Sequence, residues 1–113
     1  MNNLMTDMGR QGDVLIRRVA AIPAGAESVA RDNGRVVLAY GEVTGHAHAL
    51  ASPRVALFMD TGSGSGRRFL KVEVGAPVAL SHEEHSTVLI PPGDYEVIRQ
   101  CEYAPEAIRN VAD

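Results

Sequence analysis

Hydrophobic positions along the 113-residue chain fall in short β-rich runs separated by turn residues. "GDVLIRRV" (12–19), "RVALFMD" (54–60), "RFLKVEV" (68–74), "PVALSH" (77–82), "TVLI" (87–90) and "DYEVIRQCEY" (94–103) are each bounded by Gly, Pro, Asp or polar clusters, the pattern of strands. "TGSGSGRR" (61–68) has the composition of a flexible tip, so 54–60 and 68–74 read as a hairpin around it. A second hairpin is predicted for 77–82 and 87–90, around the Glu-Glu-His segment. "RVVLAYGEVTGHAHAL" (35–50) reads as one strand, bent at Gly41 and Gly45. "AAIPAGAESVARDNGR" (20–35) reads as an irregular connection with one helical turn around Ala26–Arg31, and Asn33-Gly34 is a hairpin signal. Residues 1–11 are polar and without period, and read as a flexible arm. In "APEAIRNVAD" Pro105 fits the first helical position and Glu106 the positive helix end, which predicts a short C-terminal helix. The expectation is one all-β domain over 12–113, a small barrel or sandwich of about seven strands closed by that helix.

Composition narrows the core. Hydrophobic residues make up 45% and charged residues 22%, as in an ordinary globular protein. With no Trp, two Phe and three Tyr, the core must be mainly Val, Leu, Ile and Ala. The net charge of −3 argues against nucleic acid as partner, and Arg17-Arg18 and Arg67-Arg68 read as solvated edges. Cys101 is the single cysteine, so an intramolecular disulfide is excluded; it reads as a small packed side chain. The N-terminus lacks the apolar run of a signal peptide, and no segment nears the roughly 18 apolar residues of a membrane span. The expectation is a soluble, cytoplasmic protein.

The chemistry concentrates in histidine. All four histidines lie in two pairs, "GHAH" (His46, His48) and "SHEEHS" (His82, His85). On an extended strand Tyr40, Glu42, Thr44, His46, His48 and Leu50 share a face, opposite a small face of Gly41, Val43, Gly45, Ala47 and Ala49. His82 has two local readings. It points inward with Val78 and Leu80 on a strand, with His85 on the turn. Alternatively, Ser81 caps a helical turn with Glu84 three residues on, which places His82 and His85 on one face. If the pairs converge, three imidazoles plus water, or four, bind zinc or another divalent metal ion. Glu42, Glu84 and Glu102 are the candidate bases or orienting carboxylates for a metal-activated water. Glu83 and Glu84 also read as solvated turn residues.

Known metal motifs do not match: "HEEH" has i,i+3 spacing, where the zinc-peptidase helix needs i,i+4. "GEVTGHAH" followed by "IPPG" is similar to fragments of a cupin, with no Glu at the cupin spacing after His48 and no His after "PPGDY". A broader resemblance covers about 35–113. "GEVTGHAH", "HEEH", "PPGDYEV" and "QCEYAPE" together resemble a small family of uncharacterised bacterial proteins, from which Cys101 departs. That resemblance implies that the histidine motifs and Gln100–Tyr103 belong together, and implies no reaction. Two functions are expected from the residues. One is a metal site, catalytic in hydrolysis if the ion keeps a water. The other is a non-enzymatic homo-oligomeric or larger assembly module with structural histidines.

Overall fold

The computed structural model describes residues 3–41, 45–62 and 66–100. Among them are eleven strands and no helix: β1 (Asn3–Leu4), β2 (Met8–Gln11), β3 (Val14–Arg18), β4 (Glu27–Val29), β5 (Val36–Tyr40), β6 (Ala47–Leu50), β7 (Val55–Asp60), β8 (Arg67–Val72), β9 (Val78–Ser81), β10 (Val88–Ile90) and β11 (Gly93–Arg99). They form a five-stranded sheet, β1-β10-β9-β6-β5, and a six-stranded sheet, β2-β3-β11-β8-β7-β4. Alternate residues of both sheets face each other: Val14 and Ile16, Tyr95 and Val97, Leu70 and Val72, and Val55 and Leu57 from one, and Val36 and Leu38, Val78 and Leu80, and Val88 and Ile90 from the other. The architecture is therefore a β-sandwich, not a closed barrel, and its core is the predicted aliphatic one. Among the described residues no helix is long and apolar enough to cross a membrane.

The two predicted hairpins form. β7 pairs antiparallel with β8, and β9 with β10. Asn33 and Gly34 both take positive φ, 54° and 78°, and close the Asp32–Arg35 bridge. Three segments differ from expectation. Ala26–Arg31 makes no helical turn, because Glu27–Val29 adds to the edge of β7. Residues 3–4 and 8–11, assigned by polarity to a flexible arm, are strands: the chain crosses from one sheet to the other there, with Met5 and Gln11 buried. The bend expected at Gly41 and Gly45 is a complete reversal. β5 and β6 pair antiparallel, the Gly41 N–H donates to the His46 carbonyl at 2.9 Å, and Gly45 has φ 88°. Tyr40 and Leu50 therefore lie on two antiparallel strands and not along one extended strand, and Glu42 and Thr44 lie outside the described residues. The predicted C-terminal helix lies outside the described residues.

Opposite the core, Glu96 of β11 is buried between two guanidiniums, Arg67 at 2.9 Å and Arg17 at 2.5 Å. The hydrogen bonds from Arg67, aided by Arg17 and opposed by burial, hold its pKa below the ordinary 4.5. A carboxylate with a depressed folded pKa contributes stability above its unfolded pKa and loses it as pH falls through the folded value. Urea unfolding between pH 3 and 7 is expected to show stability falling below about pH 4.5, with a shallower fall in Glu96→Gln. An identical slope in the variant would show that another carboxylate governs acid sensitivity.

Candidate metal centre

Three turns meet at one corner of the sandwich. The β2–β3 turn supplies Gln11, Gly12 and Asp13. The start of β6 supplies His46 and His48. The β9–β10 loop supplies His82, Glu83, Glu84 and His85. Register explains the meeting. β6 pairs with β9 through Ala49↔Ser81 and Leu50↔Leu80. Extending that register by one residue sets His48 opposite His82, and by two sets Ala47 opposite Glu83. The backbone leaves the sheet after Ser81, and the Glu83 carboxylate takes up the ladder, accepting the Ala47 N–H at 2.9 Å. That hydrogen bond, the largest cause, keeps the Glu83 pKa lowered and the group ionised.

The two histidine pairs do converge, around His82. Its ring centroid lies 5.7 Å from that of His46, 4.3 Å from His48 and 4.6 Å from His85, and His48 lies 5.8 Å from His85. Two imidazoles bound to one tetrahedral ion at zinc–nitrogen distances near 2 Å have centroids about 5 Å apart, within this span. The tightest set of ligand atoms is that of His46, His82 and Glu83, all within 4.8 Å of one another. Ligand atoms on a tetrahedral ion sit about 3.4 Å apart, so small side-chain rotations would close this set. Ring proximity and ligand-atom proximity thus favour different trios, with His82 common to both. The ligand atoms are what an ion engages, so His46, His82 and Glu83 have first claim, with His48 and His85 alongside.

His48 is buried and held from below. Gln11 Nε2 donates to the carbonyls of Leu80, at 2.8 Å, and Ser86, at 2.9 Å. Its Oε1 therefore faces His48 Nδ1 at 2.8 Å, and Nδ1 must carry the proton. Burial, with His82 adding to it, lowers the His48 pKa to about 4, so the ring is neutral near pH 7. Its lone pair is on Nε2, 3.4 Å from the Asp13 carboxylate. Asp13 is ionised: burial works to raise its pKa, but its pairing with Arg99 at 2.9 Å outweighs this. Two acceptors thus face each other, an arrangement relieved by a cation between them.

His82 Nδ1 accepts the Glu84 N–H at 3.0 Å. That bond replaces the Ser81 cap of the helical-turn reading, and residues 83–85 form a bend. Glu84 is mostly exposed, with a carboxylate oxygen 3.9 Å from His46 Nδ1. Glu42 and Glu102, the other candidate carboxylates, lie outside the described residues, as does Cys101. Gln11, Gly12, Asp13 and Arg99 were not signalled as site residues. Gly12-Asp13 is visible in sequence only as a turn, and Gln11 sits in a stretch too polar to suggest burial.

Gly12 has φ +58°, and a Cβ there would lie 2.7 Å from His85 Nε2 and 3.2 Å from His48 Cε1. Gly12→Ala is expected to cost about 1–2 kcal/mol from the left-handed backbone alone. It should also push the His85 ring off its neighbours. Thermal unfolding measures the first effect, and the His85 imidazole NMR signals the second. Unchanged signals would show that His85 does not rest on this turn.

The fold and the site define a β-sandwich with a histidine cluster at one corner. The chain belongs to a family defined by a domain of unknown function, DUF8820, whose model matches residues 10–100. The match takes in both histidine pairs and the Gln11–Asp13 turn. Neither a curated protein nor a solved structure matches the chain.

Proposed function

We propose that the corner is a divalent-metal site whose three or four donors are drawn from His46, His48, His82, His85 and Glu83, and that zinc or a similar borderline ion occupies it. The observation that carries the reading is the convergence of both histidine pairs on His82, from segments 36 residues apart in sequence at His46 and His82. The opposed acceptors of His48 and Asp13 support it. Hydrogen bonding to Gln11 leaves Nε2 as the ligating nitrogen of His48, the arrangement by which an outer partner fixes a ligand's tautomer.

An ion held by three or four protein donors with a position open to solvent lowers the pKa of its water toward neutrality. The reaction class that suits such a site is hydrolysis, with Glu84 placed on the exposed side as a proton acceptor. Cobalt(II) tests the donor set directly. Addition to the metal-free protein is expected to produce the visible absorption of a tetrahedral nitrogen–oxygen site, lost in His82→Ala. A colourless titration to several equivalents would reject the site.

A further inference from the structure

A groove of about 540 Å³ runs along the outer face of the five-stranded sheet, between Arg35 and the His82–Glu83 corner. Its floor is Ala47 and Ala49 of β6 and Ala79 of β9. These residues alternate with His48, Leu50 and Leu80, which lie on the other side of the sheet, while Val78, a core residue at the start of β9, also borders the groove. Methyl side chains on central strands leave a trough where larger ones would fill it.

The two ends differ in charge. Arg35, at one end, is half-buried, and its guanidinium makes no hydrogen bond or ion pair among the described residues. Asp32, joined to Arg35 backbone to backbone, has its carboxylate engaged by the Tyr40 hydroxyl. Arg54, at the same end, adds positive charge but spends donors on the carbonyls of Glu73, at 3.0 Å, and Ala76, at 2.6 Å. Arg35 is therefore the cation available to a ligand. The opposite end carries His82 and Glu83. From Ala47 to Ala51, both lining residues, β6 and its extension span about 14 Å at ~3.4 Å per residue.

We propose that this groove binds a small organic anion, its carboxylate or phosphate paired with the Arg35 guanidinium and its uncharged body lying over the alanine floor toward His82. The planar fork of arginine matches both anionic groups in two-point contact, which a point charge does not. The floor offers apolar contact but no competing charge. The proposal deepens the metal reading, since a ligand so placed brings its far end to the histidine corner. It stands on Arg35 and the groove, however, and is testable without metal.

The test is a ¹H–¹⁵N NMR titration of resin-stripped, metal-free protein with inorganic phosphate and with phenyl phosphate. The expected result is a set of shifts centred on Arg35, Ala47, Ala49 and Ala79, with phenyl phosphate binding at least threefold more tightly than phosphate. Arg35→Gln should weaken phenyl phosphate at least tenfold and still fold, because its backbone bonds to Asp32 remain. Arg10→Gln, an exposed change on β2, should bind as wild type does. No shifts in wild type, shifts unaffected by Arg35→Gln, or an equal loss in Arg10→Gln would overturn the proposal. Zinc added to the same samples separates the two readings. Zinc binding without phenyl phosphate binding rejects the groove alone, and phenyl phosphate binding without zinc upholds the groove and rejects the metal site.

Discussion

His82→Ala is expected to weaken zinc binding by at least about 100-fold. Changes to residues that merely orient a ligand typically cost 10–100-fold, and loss of a ligand should reach or exceed the top of that range. His82 is the appropriate target because its ring touches those of His46, His48 and His85, and because it belongs to the tightest ligand set. The fold should survive. The side chain is only half-buried and gives up one hydrogen bond, to the Glu84 N–H, worth about 1 kcal/mol. Competition against a chromophoric chelator measures the affinity. Wild-type affinity in a folded His82→Ala protein would show that the ring cluster does not hold the ion. His85→Ala, on the exposed loop, should give a smaller loss in the same assay.

Gln11→Leu is expected to be the most destabilising single change at the site. Gln11 is 2% exposed and makes three hydrogen bonds, two as donor and one as acceptor. Leucine fills the volume but leaves the Leu80 and Ser86 carbonyls and His48 Nδ1 without partners. Each unsatisfied buried group costs about 1–3 kcal/mol, so a combined loss of about 3 kcal/mol is expected after partial relaxation. For a domain of this size that corresponds to a fall in Tm of roughly 15 °C. Zinc affinity should fall about tenfold as well, since His48 is no longer held in one tautomer. Thermal unfolding of metal-free protein isolates the stability term. A fall of only a degree or two would mean that water replaces the amide and that Gln11 does not anchor the corner.

Much of the sandwich was legible in the sequence because its strands alternate cleanly. Val78 and Leu80, or Val55 and Leu57, carry a period of two that no helix would bury. The Asn33-Gly34 turn was legible because few other dipeptides accept two positive φ angles in succession. What escaped was long-range. Gly41 and Gly45 permit either a bend or a reversal, and only the pairing of β5 with β6 decides which. Glu27–Val29 lacks an apolar face, so its edge pairing with β7 left no mark in the pattern. The polar 8–11 stretch looked like an arm because the burial of Gln11 depends on carbonyls about 70 residues away in sequence, at Leu80 and Ser86.

The site was half legible. The clustering of His46, His48, His82 and His85 in sequence pointed to a shared purpose, but their meeting depends on the β6–β9 register, which alternation cannot supply. Asp13 was visible only as a turn residue. Its role at the corner arises because the β2–β3 turn of one sheet reaches His48 of the other, while Arg99, on the neighbouring β11 of its own sheet, pairs with its carboxylate.

The most direct test of the histidine corner is the metal content of the protein purified without chelator or affinity metal, measured by elemental analysis beside His82→Ala. Wild type is expected to carry close to one divalent ion per chain, and the variant a small fraction of that. Substoichiometric metal in wild type, persisting after incubation with zinc and buffer exchange, would contradict that expectation.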